Sequence, residues 1–385
     1  MELSRHEEKA MDGQFGKPLS IAYKILLAIG EASEAKKLVP VKWSHISGVN
    51  YNTIGDAGFE FLSEISKAGA KVAVFTTINP LGYDKSKKPK ISEEFKQKQD
   101  KIADSYLKMG IVPSFSCIPY EIFDIPRKST SVSFAESNAA IMANSIYGLV
   151  TNKESSLSAL ASAITGKTPY CDLRDQELRS PKVRVEIDSN VENELDYGIL
   201  GYYAGKMLNK NCISLGCHAK GMDIIESKSL SAALGTSGSC GMFSSEEPKS
   251  EIMHFGKQEA ESVMAELDTT EKGDVIALGS PQLGMSELSI IAQQATDKKF
   301  SKPCMIFCPR TVYRRAFISG MVQTIEHAGG SIHCDACTCL TPLITRSDYD
   351  GVITNSIKAS YYLNKFNNIS VCLRDLRTIM KSYLK

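Results

Sequence analysis

The sequence has one tryptophan, almost no net charge, no long hydrophobic run and too few cysteines for a stapled scaffold. Each scarcity excludes something. Forty-five Lys and Arg balance 44 Asp and Glu, leaving +1, so nothing in the charge points to nucleic acid or an anionic membrane as partner. No apolar stretch reaches the roughly 18 residues needed to span a bilayer. The first residues, MELSRHEEKAMDG, are charged and lack the apolar core of a signal peptide, so a soluble cytoplasmic protein is expected. Eleven Cys among 385 residues are an odd number and too dilute for a disulfide framework. Most are then expected to be buried small hydrophobes or metal ligands.

Familiar catalytic motifs are also missing. There is no GxSxG elbow and no HExxH. Gly166-Lys167-Thr168 resembles the end of a phosphate-binding loop, but the required Gly five positions before Gly166 is Ala161. The run from Gly235 to Gly241 reads equally as an anion-binding nest at a helix start or as a plain tight turn. No internal repeat or low-complexity linker occurs.

What is present is alternation. Leu38–Val41, Lys71–Phe75, Asp274–Leu278, Met305–Phe307 and Gly351–Ile353 read as buried strands. Between them lie patterns of helical period. Ile21, Ile25 and Ile29 share one face, as do Gly58, Leu62 and Ile65, and then Phe317, Met321 and Ile325. Asp56 is the expected N-cap of the second helix and Gly69 its stop; Gly329-Gly330 should end the third. The Lys-rich stretch 85–101 reads as a loop entering a solvated helix. The expectation is an α/β chain of several lobes, with mostly parallel sheets and helices on both faces. A lobe boundary is placed near Ser180-Pro181, before VRVEI, within one catalytic unit spanning 1–385.

The cysteines are unevenly placed. Cys334, Cys337 and Cys339 crowd into HCDACTCL, and Cys304 and Cys308 flank a strand. Three readings stay open: a structural zinc site, buried strand cysteines, or an iron–sulfur cluster completed by a distant Cys.

Several segments together carry a family resemblance. They are WSHISGVNY with His45, Gly55-Asp56-Ala57-Gly58, VFTTINPLGYD, SFSCIPYE, SFAESNAAIMANSIYG, ALASAITGKTPY, DACTCLTP and TNSIKASYY. In this order and spacing the chain resembles the large subunit of the two-chain aconitase X enzymes. The resemblance implies an aconitase-like fold and a dehydratase acting on a small hydroxy-carboxylate with an iron–sulfur cluster of the 4Fe-4S type. It implies mevalonate 5-phosphate as substrate, giving trans-anhydromevalonate 5-phosphate, with cis-3-hydroxy-L-proline as the alternative. It also implies a heterodimer with a small swivelling subunit, one of whose serines acts as the base. Carried over by position, Cys117 and Cys337 match cluster ligands, with Cys339 as the alternative to Cys337. His45, Thr76, Thr77, Asn79, Glu136, Ser137, Asn138 and Lys358 match substrate-site positions. From the residues alone, His45 reads as a satisfied core histidine, Ser137 or Asn138 as a helix cap, and Lys358 equally as a surface lysine.

The chain departs from the family's pattern in four places. Many relatives carry Gly-Cys-Pro-His where this chain has Gly279-Ser280-Pro281-Gln282. Ser280 therefore stands where the third cluster ligand is expected, and an oxygen suits such a soft site less well. Cys304 and Cys308 are the alternatives for that ligand. Val150 replaces an Arg, Ser244 a His, and CDLRDQELR is an altered segment. These departures leave one further reading, a cluster-free relative that serves as a binding subunit.

Overall fold

A computed structural model describes residues 1–208, 210–248 and 251–385. Three parallel sheets and one short antiparallel pair are interleaved with helices. The first sheet has Trp43–Ile46 at its centre, flanked by Phe75–Ile78 and Ser133–Phe134. The second runs Met242–Ser244, Cys212–Ser214, Val183–Ile187, Glu251–Phe255. The third has five strands in the order Gly330–Cys334, Cys304–Cys308, Val275–Leu278, Gly351–Thr354, Ser370–Leu373. Parallel sheets need both faces covered. One face of the third sheet joins the core it shares with the second through Val275, Val352 and Val371. Its other face buries Ile276, Ile306 and Ile353 against outer helices. Among the described residues no helix is long and apolar enough to cross a membrane.

The α/β class and the parallel sheets agree with the sequence reading, as do the strands at 275–278, 304–308 and 351–354. Other expectations are corrected. Of the run Lys71–Phe75 only Phe75 belongs to a strand, and it is exposed. Val72 and Ala73 give their N–H groups to Met109 and Ala163, outside any ladder. The true strand, Phe75–Ile78, has threonines at its centre, which hide it from a hydrophobicity pattern. Leu38–Pro40 is a strand but not a buried one; it pairs antiparallel with Lys167–Pro169. Trp43–Ile46, Gly330–Cys334 and Ser370–Leu373 are strands the sequence pattern missed.

The helices shift in similar ways. Asn50, not Asp56, caps Tyr51–Lys67 by accepting from the Asn52 N–H. Gly55 interrupts that helix with φ 58°, and Asp56 instead accepts from Tyr51 and Lys98. Ile21, Ile25 and Ile29 only flank the buried face of Lys17–Ala32, which is formed by Ala22, Tyr23, Leu26 and Gly30. The helix after Arg310 is two helices, Arg310–Ile318 and Met321–His327, separated at Gly320 with φ 80°. Phe317 is consequently half exposed rather than core. Helix Glu93–Lys108 follows the Lys-rich loop but buries one face through Phe95, Ile102 and Tyr106.

Candidate active site

The strands of the first sheet end at a cavity of about 380 Å³, where a parallel α/β sheet usually places its ligand. Its wall includes Ser47, Asn50, Asn79, Cys117, Glu136, Ser137, Ser156, Cys337, Cys339, Lys358 and Tyr362. Four helices present their first turns to it: Tyr51–Lys67, Ser137–Ser145, Ser156–Thr165 and Ile357–Lys365. Helix N-termini carry partial positive charge, each worth about 0.3–1 kcal/mol to a nearby anion. No side chain caps the first turn of Ser137–Ser145, so neither Ser137 nor Asn138 is the cap the sequence suggested.

A polar chain backs this wall. His45 and Thr77 lie opposite one another on adjacent strands. His45 Nδ1 meets Thr77 Oγ1 at 2.8 Å, and His45 Nε2 meets Asn79 Oδ1 at 2.8 Å. Asn79 Nδ2 donates to Glu136 Oε2 at 2.7 Å, and Lys358 Nζ to Glu136 Oε1 at 2.5 Å. These contacts assign the imidazole tautomer. Asn79 must turn its NH₂ to the carboxylate, so its oxygen faces Nε2, which then carries the proton. Burial lowers the His45 pKa to about 4, so the ring is neutral. Burial also works against charge on Glu136 and Lys358, yet each outweighs that penalty for the other. Glu136 stays below the usual carboxylate range and Lys358 well above the usual lysine range. The sequence left Lys358 open as a surface residue; it is buried.

The predicted substrate residues divide. Asn79, Glu136, Ser137 and Lys358 line the cavity. His45 and Thr77 stand behind Asn79, and Trp43 Nε1 adds a bond to Thr77 at 2.8 Å. Thr76 faces the opposite side of the strand, where its hydroxyl donates to the Val74 carbonyl. Asn138 is buried beside the cavity and donates to Tyr120 Oη and the Cys117 carbonyl. Tyr362 was missed, although its i+4 spacing from Lys358 on one helix places it on the same face.

The cysteines divide as well. Cys117 lies in the connection between helix Glu93–Lys108 and strand Ser133–Phe134 of the first sheet; Cys337 and Cys339 lie in the loop after Gly330–Cys334. All three reach the cavity. Cys337 Sγ lies 3.5 Å from Cys339 Sγ and 3.3 Å from the Gly279 carbonyl. Contact with the Cys117 thiol, together with burial, pushes the Cys337 pKa up to about 12. Contact with Cys337 and burial push Cys339 well above the usual thiol range. Gly279 is required where it stands: its φ is 125°, and a Cβ there would lie 2.5 Å from the Phe307 carbonyl oxygen.

Cys304 and Cys308 stay in the third sheet. Cys304 is buried in its apolar core, and Cys308 pairs in register with Cys334 on the next strand. Neither reaches the cavity. Ser280 is buried outside this cavity's wall. Its Oγ has no nitrogen or oxygen partner among the described residues, and its neighbour is the Cys339 thiol. Cys339 is thus the third thiol on the cavity wall, beside Cys117 and Cys337. Packed as thiols, the three do not form a ready-made single-ion site among the described residues. Their softness and convergence nevertheless suit a thiolate-held iron group.

Three more positions singled out in the sequence have definite places. The glycine run 235–241 is neither reading from the sequence: Ile224–Ser237 ends there, and the Gly235 and Gly238 carbonyls accept from Lys153. Gly235 lets that helix approach Ser137, whose side chain a Cβ would meet at 2.7 Å. Val150 is a backbone participant only, since its carbonyl accepts from Arg174. Ser244 ends a strand of the second sheet and caps a turn through Glu246 N–H.

Comparison with known proteins agrees with this fold. Family models described as the first, second and third domains of aconitase X match residues 1–177, 181–276 and 273–385. The phosphomevalonate dehydratase large subunit of Methanocaldococcus jannaschii is 34% identical, over 99% of this chain and 100% of that protein. A cis-3-hydroxy-L-proline dehydratase of Hypocrea jecorina is 27% identical, and the match covers 94% of this chain and 65% of that enzyme. The crystal structure of Thermococcus kodakaraensis aconitase X in its holo-form superposes with a TM-score of 0.89 at 32% identity, covering 100% of both chains. The chain belongs to the aconitase X family.

Proposed function

We propose that this chain is the large, site-bearing subunit of a dehydratase. Its substrate is mevalonate 5-phosphate and its product trans-anhydromevalonate 5-phosphate. The observation that carries the reading is the meeting of three thiols and a buried, charged lysine on one cavity into which four helix N-termini open. Such a cavity suits a small substrate with more than one anionic group. The phosphomevalonate dehydratase subunit of Methanocaldococcus jannaschii matches over its whole length, whereas the hydroxyproline enzyme is more distant and longer.

Dehydration beside a carboxylate needs a base for a weakly acidic C–H and help for a poor leaving group. Cys117, Cys337 and Cys339 would hold an iron–sulfur cluster, with Ser280 beside Cys339. Bound there, the cluster supplies a Lewis acid for the departing hydroxyl. The chain's own residues bind and orient. Lys358 faces the substrate's anionic groups, and Glu136 and Asn79 fix its direction. Glu136 is the one carboxylate lining the cavity among the described residues, and it is already engaged twice. The base is then supplied by a small swivelling subunit closing over the cavity.

The test is co-expression with a candidate small subunit, anaerobic reconstitution with iron and sulfide, and nuclear magnetic resonance of the products. The complex should convert mevalonate 5-phosphate and leave cis-3-hydroxy-L-proline unchanged, while the large chain alone should convert neither. Full turnover by the large chain alone, or a preference for hydroxyproline, contradicts the proposal.

A further inference from the structure

Gln282 occupies the position where many relatives carry His, and the structure gives it a definite task. It is fully buried, between the two loops that carry the thiols. Its Oε1 accepts from the Cys117 N–H at 3.2 Å, 165 positions upstream. Its Nε2 donates to the Ala336 carbonyl at 2.8 Å, 54 positions downstream and next to Cys337, and to the Phe115 carbonyl at 3.3 Å. Its backbone N–H donates to Cys117 Sγ at 3.2 Å. Its own carbonyl accepts from Lys228 Nζ at 3.3 Å. Lys228 is in turn held by Glu121 at 2.8 Å and Glu287 at 2.6 Å.

We propose that Gln282 is a positioning residue: it clamps the Cys117 and Cys337 loops at the separation their metal group requires. This rests on the reading that the thiols hold iron. A carboxamide suits the task because one planar group offers an acceptor and two donors. Glutamate would keep the acceptor for Cys117 N–H but set an anion against the Ala336 and Phe115 carbonyls. Leucine would leave the Cys117 N–H and both carbonyls unpaired in the interior. An imidazole, with one donor and one acceptor, can still bridge the two loops. The backbone N–H of Gln282 also donates to Cys117 Sγ, and N–H bonds to a ligating sulfur tune the metal it holds.

The experiment uses the full chain with its partner subunit and compares wild type with Gln282→Glu, Gln282→Leu and Gln282→His. Asn144→Ala is the control. Asn144 is an equally buried amide, bonded to Thr151 and Gly241 and placed away from the thiols. Three readouts are taken: iron retained after reconstitution and desalting, the visible charge-transfer spectrum, and the rate at which a short thiol-reactive cross-linker joins Cys117 to Cys337 in metal-free protein. Gln282→Glu and Gln282→Leu should hold iron about 10–100-fold less tightly, with a shifted spectrum. Both should cross-link more slowly, and Gln282→His should recover most of each loss. Asn144→Ala should lower the melting temperature while keeping iron, spectrum and cross-linking. Wild-type behaviour of Gln282→Leu, or equal iron loss in Asn144→Ala, overturns the inference. If wild type binds no iron, the metal reading fails. The cross-linking rate then decides the clamp alone: slowed in Gln282→Leu supports it, unchanged refutes it.

Discussion

The first and third sheets are both parallel and both covered by helices, yet their strands are built from opposite materials. The third sheet's central strands read Val-Ile-Ala-Leu and Gly-Val-Ile-Thr, buried throughout. The first sheet's read Trp-Ser-His-Ile and Phe-Thr-Thr-Ile. Interior polar groups are costly unless paired, and in these two strands each finds a partner, although the Ser133 hydroxyl on the third strand of this sheet finds none among the described residues. Ser44 donates to the Ala159 carbonyl, Thr77 meets Trp43 and His45, and His45 meets Asn79. The third sheet supplies stability through apolar area. The first sheet gives up some of that area to hold an oriented polar chain ending at Lys358. The cysteines follow the same division. Cys304, Cys308, Cys334 and Cys372 are strand residues of the third sheet; Cys117, Cys337 and Cys339 are loop residues at the cavity.

Breaking the buried pair should have the largest effect. Lys358→Met leaves Glu136 charged and without its cation, which should cost about 3–5 kcal/mol in denaturant melts. Lys358→Met combined with Glu136→Gln should recover much of that stability while activity of the complex stays lost. Equal destabilisation in the single and double variants would show that the pair is not coupled.

The two sheets should also respond differently to loss of one buried group. Ile353→Ala in the third sheet opens a cavity and should cost about 2–5 kcal/mol, with iron content unchanged. Thr77→Val in the first sheet keeps the volume but unpairs Trp43 and His45, at a cost of about 1–3 kcal/mol. It should lower activity as well, because His45 orients Asn79. A Thr77→Val variant with wild-type activity would remove the polar chain from the account.

The acid side of the stability curve gives a smaller, graded test. His45 titrates near 4 when folded and near 6.5 when unfolded, so between those values the unfolded chain binds more protons. Its contribution is complete above pH 6.5 and is lost as the pH falls toward 4, by up to about 3 kcal/mol. His333, also lowered to about 4 by burial, adds in the same direction. His45→Gln should flatten this slope by about one proton's worth. An unchanged slope would mean that His45 is not buried neutral.

The same contrast explains what could be read from the sequence. Strands of the third sheet declare themselves by apolar runs, and three of its five were found. The first sheet's central strand was visible only as a motif around His45, because its polar residues break the pattern. Glu136, Asn79 and Lys358 were reachable through family resemblance. Their pairing across 222 positions was not, since sequence spacing carries no distance at that range. Ser280 was expected as a ligand because its position matched. The structure sets it beside the Cys339 thiol, and the loop 337–339 brings two thiols where one was counted on. Gln282 looked like a defect in sequence; only its hydrogen bonds reveal it as a link between loops.

The most direct measurement is iron and sulfide content after anaerobic reconstitution, for wild type and five alanine variants. Cys117→Ala, Cys337→Ala and Cys339→Ala should each lose most of the bound iron. Cys304→Ala and Cys308→Ala should keep it, with only a modest loss of stability. Iron retained in all three cavity variants, or absent from the wild type, would contradict the assignment of this cavity as a thiolate-held metal site.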